Sequence, residues 1–121
     1  MTMTPPNPAC KRGDVILVIF PHSDLQSAKT RPALIVQADN LQTGLPQMIV
    51  AMITSRLFRA GHPSRITVLR STPAGQLSGL LTDSVVMTDN LATVSENAIE
   101  RVIGSLPMAD IDAALSHTLS L

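Results

Sequence analysis

Arg12-Gly13-Asp14-Val15-Ile16-Leu17-Val18-Ile19-Phe20 is the stretch on which the fold turns. Arg12-Gly13-Asp14 reads as a turn, and the six residues that follow are all apolar and mostly β-branched. A continuous apolar run of this kind predicts a strand buried on both faces. Pro21 stops it, because proline gives the ladder no N–H. At six residues the run, which no other apolar run in the chain exceeds, is far too short to span a bilayer.

Outward from this strand, residues 1–10 are proline-rich and read as an extended or flexible tail, so the domain is expected over residues 11–121. On the other side, Pro21 to Thr30 is polar and reads as a loop before a second strand, Ala33 to Gln37, closed by turn chemistry at Asp39-Asn40. A third strand, Met48 to Thr54, follows Gly44 and Pro46, and a basic loop runs from Ser55 to Arg65. Ile66 to Leu69 alternates like a strand with one wet face. Gly75 and Gly79 bracket a turn, and Ser84 to Met87 forms a short strand with Asp83 and Asp89-Asn90 at its ends. Ser95 is placed to cap a single turn over Glu96 to Ile99, and Val102-Ile103 forms a last short strand. Met108, Ile111, Leu115 and Leu119 recur at helical spacing, with Pro107 in the first turn and Asp110 and Asp112 where the helix dipole favours acids. Short strands followed by one amphipathic helix predict an α+β, mainly β, compact barrel or sandwich capped by that helix.

With 121 residues the chain has room for one domain and one core. A single cysteine, Cys10, forms no internal disulfide, and the first nine residues lack the apolar core and basic lead-in of a secretory signal, which together point to the cytoplasm. His22, His62 and His117 are scattered, with neither HxxxH nor CxxC spacing, and no Gly-rich phosphate loop or GxSxG elbow is present. The expectation is a protein without metal or cofactor.

Net charge is zero, yet the charges are segregated. Residues 29–70 carry six basic side chains and one acid, a net of +5, and residues 82–112 carry six acids and one arginine, a net of −5. This predicts a positive face for a polyanion and a separate acidic face. Phe20 and Phe58 are the only aromatics, which argues against a broad base-stacking platform.

Within the basic half, Lys29-Thr30-Arg31-Pro32-Ala33-Leu34-Ile35-Val36-Gln37 parks an arginine at the mouth of a strand. Pro32 pushes Arg31 towards extended geometry, so its guanidinium projects from a defined place. Asp24, Arg31, Thr54, Ser55 and Ser84 form a set of small polar groups and an arginine at strand ends. An arginine beside hydroxyls suits a phosphoryl group, since its fork holds two oxygens and its charge opposes the charge that develops on them. RNA suits it in particular, because the neighbouring 2′-OH is already a nucleophile that needs only alignment.

These residues carry a resemblance. Arg12 to Val18, Phe20-Pro21 with Ser23-Asp24-Leu25, Lys29 to Gln37, Ala51-Met52-Ile53-Thr54-Ser55, Gly79-Leu80-Leu81, Ser84-Val85-Val86, Asp89-Asn90-Leu91 with Thr93, and Ile103 to Leu106 together resemble the MazF/PemK toxin endoribonucleases. The resemblance implies an SH3-like barrel with a C-terminal helix and a homodimer. It also implies metal-independent, sequence-specific cleavage of single-stranded RNA to a 2′,3′-cyclic phosphate and a 5′-hydroxyl. Arg31 and Thr54 fall on the family's catalytic pair, and Asp24 is a candidate for handling the 2′-OH proton. Lys29, Ser55, Arg56, Ser84 and His22 are candidate RNA contacts. The implied partner is an antitoxin whose acidic tail covers the Arg31 groove. Two other readings stand beside this one. The first is a CcdB-like toxin that binds gyrase, which needs neither Arg31 nor Thr54. The second is a barrel that binds RNA without cleaving it, suggested by Ala92, where many members carry a basic residue.

Overall fold

The computed structural model describes residues 10–21 and 28–121. Six strands run in the order β1 (Asp14–Pro21), β2 (Ala28–Ile35), β3 (Gln47–Thr54), β4 (Arg65–Val68), β5 (Ser84–Ser95) and β6 (Ile99–Ser105). Two α-helices, α1 (Pro73–Ser78) and α2 (Ala109–Leu119), and two 3₁₀ turns, Leu57–Arg59 and Glu96–Ala98, complete the described chain. The strands form one antiparallel sheet with spatial order β4-β5-β3-β2-β1-β6. It is the expected mainly β, barrel-like architecture, with the two end strands, β4 and β6, not paired to each other. Helix α2 packs on β4 and β5, and α1 packs on β6.

The apolar run of β1 is buried on both sides at Val15, Ile16 and Val18, as its composition predicts, while Ile19 is 40% exposed. Val15 joins Leu34, Ala51, Val86 and Ile111 in one core, and Ile16 and Val18 join Ala33, Ile35, Val50 and Ile99 in the other. Successive side chains of a strand point to opposite faces, so one strand serves both cores. The turn before it is stitched in place from three directions. Gly13 adopts φ +94 and donates to the Ile35 carbonyl, its own carbonyl accepts from Leu106, and the buried Asp14 carboxylate accepts from the Lys11 N–H at 2.9 Å. Arg12 clasps the far side through the Val36 carbonyl and an ion pair with Asp112 of α2. Cys10 packs at the margin of the second core, where burial first, then Asp14 and Glu96, pushes its thiol pKa up.

β6 spans Ile99–Ser105 where a strand of Val102-Ile103 alone is expected, and three further elements differ from the sequence expectation. β2 begins at Ala28 and not Ala33, because its polar half is held by pairing with β1 from Ile19↔Thr30 to Pro21↔Ala28. The Gly75 region is a short helix capped by Thr72, whose hydroxyl accepts from the Gly75 N–H. β5 does not stop at Asp89-Asn90. Its register on β3 jumps from Met52↔Met87 to Ala51↔Leu91, leaving Thr88, Asp89 and Asn90 as a wide bulge inside one strand.

Helix α1 lies almost against β6. A Cβ on Gly104 would stand 2.3 Å from the Leu77 carbonyl oxygen and 2.5 Å from that of Ser78. Gly104→Ala must therefore drive α1 away from β6. The expected loss is about 2–3 kcal/mol of unfolding free energy, read as a lowered denaturant midpoint with unchanged slope.

Candidate functional site

β2 and β3 are paired only through Ala33↔Met52, Leu34↔Ala51 and Ile35↔Val50. Pro32, the next residue of β2, has no N–H to donate, and from there the strand leaves β3 while staying on β1 down to Pro21↔Ala28. The parting opens a cleft of about 750 Å³. Its floor is apolar, formed by Leu17, Pro32, Ile53, Leu80 and Ile103.

Lys29, Arg31, Arg56, Arg59 and Arg101 line this cleft, and among the described residues no aspartate or glutamate does. Both ion pairs among the described residues, Arg12 with Asp112 and Arg65 with Asp89, involve other arginines. The five cationic groups therefore face one opening without a carboxylate among the described lining to neutralise them. Such an arrangement favours a polyanion, and repulsion among the cations is relieved when one enters.

Arg31 is exposed at the mouth, opposite Val18 in the β1–β2 register. Thr54 is half-buried at the end of β3, and its Oγ1 accepts from the Arg56 N–H at 3.1 Å. That bond fixes the hydroxyl oxygen and leaves its proton for an acceptor in the cleft. Ser55, Arg56 and Lys29 are exposed on the walls. Ser84 also reaches the lining, but it is buried and donates to the Thr82 carbonyl at 3.0 Å. Asp24 and His22 lie outside the described residues. Among the described residues no group of three or more His, Cys, Asp or Glu gathers as a metal site.

Sequence reasoning did not single out Arg101, Asn90 or Arg59 as lining residues. Arg101 counted as the lone cation of an acidic segment, but β6 pairs it with Leu17 and so delivers it to the floor's edge. Asn90 is carried into the lining by the β5 bulge, and Arg59 by the 3₁₀ turn, where its Nη1 approaches Met87 Sδ at 3.8 Å. The charge segregation is real at the cleft but incomplete elsewhere, since Arg65 of the basic segment pairs with Asp89 of the acidic one.

The loop Ser55 to Ser64 is clamped. Arg65 forms a two-pronged ion pair with Asp89, at 2.8 and 3.3 Å, and its Nη1 donates to the Arg59 carbonyl at 3.1 Å. Thr88 is fully buried and donates to the Ser64 carbonyl at 2.6 Å while lying 2.8 Å from the Thr118 hydroxyl of α2. Bulge, loop and α2 are thus tied at one point.

The family model described as the PemK-like, MazF-like toxin of type II toxin–antitoxin systems matches residues 11–119. The chain belongs to this family. It is 28% identical over 115 residues to an "Endoribonuclease MazF" of Staphylococcus saprophyticus, covering 92% of each protein. Among solved structures, an endoribonuclease in complex with its cognate antitoxin from a mycobacterial species superposes with a TM-score of 0.69 at 24% identity, covering 93% of this chain and 97% of that one. A MazE–MazF complex from Deinococcus radiodurans gives 0.70 at 17% identity, with 95% and 99% covered. Ala92, the departure from the family pattern, packs against the second core of this MazF-like toxin and does not line the cleft.

The Arg65 guanidinium holds the Asp89 carboxyl below its usual pKa of 3.8 through their hydrogen bonds. An ionised Asp89 therefore contributes stability above that value, and the contribution is lost as the pH falls through the lowered pKa. Asp89→Asn is expected to be less stable than the parent at pH 7, with the difference closing below about pH 4, as read by denaturant melts across the range. Because the pair is partly exposed, the same difference shrinks in high salt.

Proposed function

We propose that this toxin endoribonuclease cuts single-stranded RNA in the Arg31–Thr54 cleft by attack of the 2′-OH on the adjacent phosphorus. The 2′-oxygen forms a bond to phosphorus, the bond to the 5′-oxygen breaks, and the products end in a 2′,3′-cyclic phosphate and a 5′-hydroxyl. The observation that carries the reading is the opening itself: five cations, no carboxylate among the described lining residues, and an exposed arginine and a threonine hydroxyl at the parted ends of β2 and β3.

Arg31 grips the nonbridging oxygens and opposes the negative charge that grows on them. It is not the base, since a guanidinium keeps its proton. Thr54 donates its hydroxyl proton to the same phosphate. Lys29, Ser55 and Arg56, with Arg59 and Arg101 beside them, hold the flanking backbone, and Ser84 supports the wall from beneath. Asp24 takes the 2′-OH proton, a proton is returned to the departing 5′-oxygen, and His22 is the alternative for acid or base work. Catalysis then rests on alignment and charge and needs no metal. The toxin domain is residues 11–121. It works in the cytoplasm as a homodimer, and a cognate antitoxin restrains it by laying an acidic segment over the cleft, displacing RNA by the same electrostatics. Support for that partner comes from the family and from the antitoxin-bound structures the chain superposes on.

Incubation with a long unstructured RNA in EDTA, followed by gel and mass analysis, tests the reading. Arg31→Ala is expected to lower kcat about a hundredfold or more, and Thr54→Ala roughly ten- to hundredfold, with the dimer and melting curve retained. Cleavage that survives Arg31→Ala, or that requires a divalent ion, would contradict it.

A further inference from the structure

Phe58 is the feature of this surface that the phosphate chemistry leaves unused. It is 79% exposed, and it sits in the 3₁₀ turn between Arg56 and Arg59, both of which line the cleft. Burying a phenylalanine side chain is favourable, so leaving one in water at the rim of a binding cleft forgoes a sizeable gain. The turn is also held still. The Arg59 N–H donates to the Arg56 carbonyl at 3.1 Å and the Ala60 N–H to that of Leu57 at 3.0 Å, while Arg65, anchored by Asp89, grips the Arg59 carbonyl. Arg59 places its guanidinium carbon 5.8 Å from the centre of the Phe58 ring and reaches back toward Met87 in the cleft. A flat aromatic face and a planar cation are therefore presented together on a fixed support.

We infer that Phe58 and Arg59 form a base-stacking subsite for one nucleotide beside the scissile phosphate. The inference rests on the cleft being the RNA site. Phe58 lies four steps along the chain from Thr54, at most about 14 Å of extended chain, so a base next to the reacting phosphate is within reach. The backbone of that nucleotide meets Arg56 and Arg59, and its base, turned out of the strand, covers the Phe58 ring. Stacking accepts any base, since each has a π-face, and the arginine strengthens the contact through its charge. The subsite thus adds affinity and positioning, with sequence choice left to other groups. A single such position is compatible with a chain that has few aromatics, because one nucleotide needs only one ring.

The chain has no tryptophan or tyrosine, so Phe58→Trp installs a lone fluorophore at the subsite while preserving a stacking face. The probe is a mixed-sequence heptanucleotide with 2′-fluoro sugars, which lacks the nucleophile and stays intact whether or not the protein cleaves RNA. Tryptophan emission is expected to be quenched by this oligonucleotide and not by an abasic strand of equal charge. Binding of the oligonucleotide is expected to weaken roughly five- to a hundredfold in Phe58→Ala and Phe58→Leu relative to the parent, with the abasic strand bound equally by all three. Circular dichroism of each variant reports that the fold is kept, and Phe58→Trp alone carries the test if the smaller side chains unfold it. Equal quenching by both strands, or quenching only by an acidic antitoxin peptide, overturns the subsite and makes Phe58 a protein contact. Failure of the cleavage reading shows separately, as intact natural RNA in the kinetic assay.

Discussion

Everything at the proposed site follows from the place where β2 lets go of β3. Three residue pairs hold the two strands together, and the ladder ends beside Pro32, which has no N–H to continue it. Had the pairing run on, the ends of both strands would be joined edge to edge and no cleft would exist between them. Because it stops, Arg31 and Thr54, on different strands, face one opening floored by apolar side chains. Neutral overall charge is then no obstacle to holding a polyanion, since what matters is that five cations line the cleft and no carboxylate is among its described lining residues.

A parted sheet needs something to keep its lips in place. On the β3 side this is the β5 bulge, where Thr88 ties the loop end at Ser64 to α2, and Asp89 holds Arg65, which holds the Arg59 carbonyl. On the opposite wall, Gly79 has φ +73 and lies so close to the Ile103 carbonyl that a Cβ has no room, bringing Leu80 and Leu81 to the cleft. These contacts make a rigid frame, and rigidity is what a metal-free phosphoryl site requires, because alignment and preset charge are its main instruments.

The legible parts of the fold were those in which local chemistry and final environment agree. β1 is apolar from Val15 onward and buries Val15, Ile16 and Val18, β3 ends at its hydroxyl pair, Ser95 caps its turn through the Asn97 N–H, and α2 follows its apolar spacing. The parts that could not be read are imposed from a distance. Lys29 and Thr30 are polar because they face solvent, and only pairing with β1 makes them strand. A glycine inside a six-residue helix argues against that helix locally, yet at Gly75 a Cβ would collide with the Leu69 carbonyl, so the glycine is what permits it. Asp89-Asn90 carries the chemistry of a strand end and is used instead as a bulge. At the site, Arg31 was readable from the proline after it, and Arg101 was not, since its place depends on a cross-strand register with Leu17 that no local pattern announces.

The central claim is that the protein aligns the RNA's own 2′-OH and that water takes no part in the first bond cleavage. It is tested most directly by running the reaction to early time points in ¹⁸O-labelled water, with EDTA present, and weighing the fragment ends. The account predicts 2′,3′-cyclic phosphate ends without label, and label only later as the cyclic ends open. Label in the phosphate of the earliest fragments, or fragments bearing a 5′-phosphate, would contradict it.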